Sequence, residues 1–175
     1  MSAALRRERI LDIIRGSCHD GAPVSASKLA ADLEVSRQVI VGDVALLRAQ
    51  GHDIVATARG YMMTQLVQAG HFVAKVACCH DSHEAQAELC TVVDLGATVI
   101  NVIVEHELYG EIIGRLNLGS RDDVEQFVTQ CEHSNMKLLS ELSGGVHLHT
   151  LACRDKAHFD QVQQVLQAKG YLLVE

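Results

Sequence analysis

The residues best suited to chemistry lie late in the chain. His147 and His149 sit in "GGVHLHT" (144–150), alternating with apolar neighbours directly after a glycine pair. At strand period both imidazoles fall on one face, about 6.5–7 Å apart at Cα, close enough to converge on one ion. His80 closes an apolar run, "HFVAKVACCH", and Glu88 lies on the edge of the apolar stripe in the segment that follows. Three imidazole nitrogens and a carboxylate oxygen suit a borderline divalent transition metal such as zinc, nickel, cobalt or ferrous iron. Calcium and magnesium prefer all-oxygen shells. Taken alone, however, His-x-His on a strand reads more readily as the wet face of a sheet. The metal reading depends on elements that bring His80 and Glu88 to the same place, which spacing alone does not establish.

Other polar groups make weaker candidates. His83 and Glu84 are expected at a helix start, facing solvent, and His71, His106, His133 and His158 on surfaces or turns. Six cysteines, at 18, 78, 79, 90, 131 and 153, form no C-x-x-C pair and no framework spacing. They read as small core residues in a reducing compartment. Cys78 and Cys79 point to opposite faces of a strand and cannot share one metal.

The elements that must position these residues follow from periodicity. Residues 71–80 form a buried strand. Asp81 caps a helix with Ala85, Leu89, Val92 and Val93 inward, stopped by Gly96. "ATVINVIVEH" (97–106) and "ELYGEIIGRLNL" (107–118) are two strands joined by a tight turn. Ser120 caps a helix with Val124, Phe127, Val128 and Cys131 on one face. Ser143, Gly144 and Gly145 open the strand that carries His147 and His149, Asp155 begins a last helix, and "YLLVE" closes the chain as a short strand. The order βαββαβαβ predicts an open sheet with helices packed on it, an α+β domain.

The first third has a different character. Leu5, Ile10, Leu11, Ile13 and Ile14 alternate with Arg and Glu or Asp in an amphipathic helix stopped by Gly16. Pro23, the only proline, is expected in a turn. Ser25 caps a second helix, and Ser36 caps a third that is ended by Gly51. On the third, Ile40, Val44 and Leu47 mark the buried stripe, leaving Arg37, Gln38, Val41, Gly42 and Arg48 outward. Gly42 in mid-helix costs about 1 kcal/mol against alanine. Residues 52–63 form a hairpin with Arg59 near its tip. This is the winged helix-turn-helix pattern, in which Ser36, Arg37 and Gln38 at the helix N-terminus face base edges, and Arg and Gln can pair bidentately with guanine and adenine. The same three helices could also serve as a protein-interaction module.

Charge agrees with a two-part chain. Net charge is −7, but residues 1–65 carry eight Lys/Arg against seven Asp/Glu, while residues 66–175 carry seven against fifteen, together with eight of the ten histidines. A near-neutral DNA-binding module over 1–66 and an acidic, histidine-rich module over 67–175 are expected. A near-neutral module gives thin electrostatics for DNA, which a homodimer would double. No apolar run reaches 18 residues and the N-terminus lacks a signal-peptide pattern, so a cytoplasmic location is expected.

"SRQVIVGDVALLRAQGHDIVATARGYM", "VEHELYGEI" and "SGGVHLHT" together resemble the niacin-responsive transcriptional repressors, the NiaR family, over about residues 5–174. The resemblance implies a biotin-repressor-type helix-turn-helix joined to a 3H domain, a small phosphocarrier-like α/β sandwich. It implies a dimeric, non-enzymatic repressor of genes for NAD precursor synthesis and niacin uptake, with niacin as co-repressor. It assigns the metal ligands to His80, Glu88, His147 and His149. Effector contacts are expected near Tyr109, Gly110, Gly144 and Gly145, where glycines permit close backbone approach. Two other readings remain: a repressor for which the metal itself is the signal, and a metal-dependent hydrolase with a DNA-binding appendage. The hydrolase lacks a spare general base beside the ligands.

Overall fold

A computed structural model describes residues 2–17, 22–63, 71–134 and 137–173. The chain divides into two compact units, Met1–Ala69 and Gly70–Glu175. The boundary expected between 66 and 67 lies outside the described residues.

The first unit contains α1 (Ala3–Ser17), α2 (Ala26–Asp32), α3 (Arg37–Ala49), β1 (Ile54–Thr57) and β2 (Gly60–Met63). The serine caps are where the sequence places them. Ser25 Oγ accepts from the Lys28 amide and Ser36 Oγ from the Val39 amide, meeting amides that have no partner within the helix. Ile10, Ile14, Leu29, Ile40, Val44 and Leu47 form the core. Helix α1 runs one residue past Gly16. Pro23 leads not into a turn but into an antiparallel bridge, Val24 to Tyr61, which fastens the wing to the helices. Gly60, at φ +142°, lets that bridge close, because a Cβ there would lie 2.4 Å from the Val24 carbonyl oxygen.

The second unit contains β3 (Phe72–Cys79), α4 (Ala85–Asp94), β4 (Thr98–His106), β5 (Gly110–Leu118), α5 (Arg121–Ser134), β6 (Val146–Cys153) and α6 (Lys156–Ala168). A 3₁₀ turn, Ser82–Glu84, leads into α4, and another, Leu139–Ser143, precedes β6. The sheet is antiparallel with order β3-β6-β4-β5. Strand β6, late in the chain, is therefore inserted between β3 and β4. Val76, Leu89, Val92, Val99, Leu151 and Leu166 are buried in the core. Two expectations change here. Among the described residues, the closing segment contributes one bridge, Leu172 to Cys78, where a regular strand was expected. His158 is buried rather than on the surface: its Nδ1 accepts from the Arg154 amide and its Nε2–H donates to the Leu95 carbonyl. Its position at the start of α6 turns it inward, where a neutral imidazole satisfies two main-chain groups at once.

Candidate metal centre

The topology brings four sequence-predicted residues together. His147 and His149 point from one face of β6, and His80 follows the end of β3, the strand paired with β6. Glu88 lies on α4 among Ala85, Leu89 and Val92, the buried stripe of that helix. All four are buried, Glu88 to 1% exposure. The Nε2 atoms of His80, His149 and His147 lie 2.9, 3.4 and 3.6 Å from Glu88 Oε2. Glu88 Oε1 is also buried and has no hydrogen-bond partner.

The opposite ring nitrogens decide what this cluster can do. His80 Nδ1 is 2.9 Å from the Asp81 carbonyl, His147 Nδ1 2.9 Å from the Gly145 carbonyl, and His149 Nδ1 2.8 Å from the Asn101 carbonyl. A carbonyl can only accept, so each Nδ1 carries the proton and donates. Each neutral ring then presents a bare Nε2 lone pair to an acceptor-only carboxylate. Four acceptors face one another in a buried space, and only a cation between them relieves that repulsion. The donor set fits a divalent transition metal, with each imidazole oriented by a main-chain oxygen. Burial pushes the Glu88 carboxyl up, but the charge of His149 and hydrogen bonds from His147, His149 and His80 hold it well below its ordinary range. Burial lowers the imidazoles of His80 and His149, yet Glu88 outweighs it and both titrate above the free value.

Two backbone irregularities build the orienting contacts. The ladders that β4 makes with β5 and β6 both shift register between Val99 and Asn101. This β-bulge accompanies an Asn101 carbonyl turned to His149, while Asn101 Oδ1 accepts from the Thr150 amide. Gly145, at φ +95°, passes so close to His80 that a Cβ would lie 2.5 Å from its carbonyl oxygen. Its own carbonyl serves His147.

Cys78 completes the surroundings and was not anticipated. Its register partner is His147, and the donor atoms of Cys78, Glu88 and His147 all lie within 4.8 Å of one another. Burial, then the Glu88 carboxylate, pushes its thiol far up. The available signal was its place two residues before His80, on the strand face opposite Cys79.

Comparisons with known proteins match both units. Residues 6–62 match the model of an HTH domain, and residues 73–175 that of the 3H domain. A Thermotoga maritima protein named probable transcription repressor NiaR is 42% identical over 172 residues, 98% of this chain and 97% of its own. Transcription repressor NadR of Bacillus subtilis is 36% identical over 175 residues, 99% of this chain and 96% of its own. The chain belongs to the NiaR/NadR family of transcription repressors.

This repressor is accordingly a helix-turn-helix regulator. On its α3, Ser36, Arg37, Gln38 and Arg48 are exposed and Val41 is half-buried. Arg59 stands half-buried in the β1–β2 turn, its amide donating to Thr57 Oγ1. In the 3H domain, Tyr109 is 76% exposed in the β4–β5 turn, its ring 5.1 Å from that of His106. Gly110, Leu142, Ser143, Val146 and His147 line a cavity of about 1000 Å³ that also takes in Glu105, Glu107 and Glu111. Gly144 is exposed beside it, in the left-handed region at φ +64°. No described helix is long and apolar enough to cross a membrane.

Proposed function

We propose that this repressor of the NiaR/NadR type senses niacin at a divalent transition-metal centre held by His80, Glu88, His147 and His149. The observation that carries it is the locked orientation of three imidazoles, each with its Nδ1–H committed to a carbonyl and its Nε2 turned to one buried carboxylate. The metal, when bound, supplies positive charge and an open coordination position for a carboxylate or pyridine nitrogen. That charge matters for niacin, because the cavity reaching His147 is lined by three glutamates and, among the described residues, by no lysine or arginine. Gly110 in the cavity wall and exposed Gly144 permit close approach of the effector, Gly145 holds the His80 and His147 ends of the site together, and Tyr109 offers an exposed ring to stack on it.

The DNA surface is α3 and the wing. Ser36, Arg37, Gln38 and Val41 face the major groove, with Arg48 and Arg59 toward the backbone, and a homodimer reads a two-fold operator. The genes under control are those of NAD precursor synthesis and niacin uptake. As co-repressor, niacin binds the operator-bound form more tightly, so operator DNA tightens niacin binding by the same factor.

The test is operator binding by metal-loaded and stripped protein, each with and without niacin. Tighter binding only with both metal and niacin supports the proposal. A full response to metal alone makes the ion the signal. An equal niacin response in stripped protein removes the metal from effector recognition, and no niacin response in either form overturns niacin sensing.

A further inference from the structure

We infer that Cys78 is a fifth protein donor to the metal centre, binding through its thiolate sulfur. This rests on the metal-binding reading above and extends it to a residue outside the histidine and glutamate set. The sulfur, the Glu88 carboxylate and the His147 ring present donor atoms mutually within 4.8 Å, and all three residues are buried. Cys78 faces His147 across the β3–β6 ladder and is 0% exposed. Glu88 is 1% exposed, and its Oε1 has no hydrogen-bond partner. The carboxylate thus retains an unmatched acceptor inside the group of donors.

Charge balance gives the physical reason. Three neutral imidazoles and one carboxylate leave a divalent ion with one uncompensated positive charge in a site shielded from water, and buried net charge is costly. A thiolate offsets it while no effector occupies the open position, and the ion still presents its own charge locally to a ligand that reaches that position. The S–H proton passes to solvent as the metal–sulfur bond forms, and no electron is transferred. Two consequences follow. The donor set becomes three nitrogens, one oxygen and one sulfur, which favours borderline and softer ions over manganese or magnesium. A six-coordinate ion keeps one position, so an effector that binds the metal does so through one atom.

X-ray absorption on zinc-loaded, full-length protein reads the shell directly. Zinc–sulfur scattering is expected at about 2.3 Å beside nitrogen and oxygen at about 2.0–2.2 Å. Cobalt-loaded protein should show an intense near-ultraviolet sulfur-to-cobalt charge-transfer band. In Cys78→Ser both signals should vanish while metal remains bound. Metal bound by the wild type with a nitrogen and oxygen shell alone overturns the inference and leaves the four-ligand centre standing. Failure of the wild type to retain metal overturns the centre itself and the thiolate with it. A sulfur signal that persists in Cys78→Ser assigns it to another cysteine and overturns the inference. Should Cys78→Ser fail to fold by circular dichroism, Cys79→Ser and Cys153→Ser decide: both must keep the sulfur shell, and its loss in either overturns the inference.

Discussion

At the scale of single residues, the centre is a problem of protons. With every Nδ1–H committed to a carbonyl, metal-free protein can relieve the Nε2–carboxylate repulsion only by binding protons, which is why Glu88 titrates low and His80 and His149 titrate high. The resulting stabilisation is complete between the unfolded carboxyl and imidazole values, about 4.3 and 6.5. It is lost as acid protonates Glu88 through its depressed folded value. It is lost again as rising pH strips His80 and His149 through their raised ones. A metal bound there would have to expel those same protons, so its affinity is expected to rise with pH over the upper range. Melting curves from about pH 6.5 to about pH 8.5 should therefore show Tm falling for stripped protein and holding or rising at a fixed excess of metal. Parallel slopes in the two forms would contradict this account. Gly145 acts on the same centre through its backbone. Gly145→Ala should cost about 1–3 kcal/mol of stability. By displacing His80 and the carbonyl that orients His147, it should also weaken metal binding about 10–100-fold in a chelator competition.

At the scale of elements, local patterns were legible and cross-strand geometry was not. Ser25, Ser36, Asp81, Ser120 and Asp155 each accept a backbone amide at the head of a helical segment, as their types and positions predict. The stripes of α3 and α4 were equally plain, because a 3.6-residue period needs only neighbours in sequence. The bulge before Asn101 and the pairing of Cys78 with His147 belong to ladders formed with β6 between β3 and β4, a non-local choice that no window of sequence records. His158 was misplaced for the same reason: its partner carbonyl, Leu95, lies 63 residues away. Helix α3 offers a test of its own. Gly42 is exposed, and a Cβ there would meet nothing within 4 Å. Gly42→Ala should then stabilise the first unit by about 1 kcal/mol in urea unfolding. If the gap exists for close approach of DNA, the same variant will bind operator more weakly although it is more stable.

At the scale of the whole molecule, recognition of DNA must rest on shape and a few specific contacts, since the chain carries a net charge of −7. Arg37→Ala is expected to cost about 1–3 kcal/mol of discrimination between operator and a sequence altered at the contacted base. Competition binding on the two duplexes measures it, and an equal loss on both would reassign Arg37 to the phosphate backbone. On the proposed reading one unit meets the operator and the other its effector, so variants of the metal centre should change the response to niacin without changing basal recognition. The oxygens that aim the three imidazoles bear on how such a centre is inherited. They belong to the main chain at Asp81, Asn101 and Gly145, and any amino acid supplies a carbonyl. An exchange of side chain at Asp81 or Asn101 keeps the orienting carbonyl but gives up the bonds that their side-chain oxygens accept from the His83 and Thr150 amides. Gain or loss of one residue between 98 and 102 or between 145 and 149 would move a carbonyl off its ring. A change of side chain at Asp81 or Asn101 leaves the aim of the rings intact, and a change of length does not.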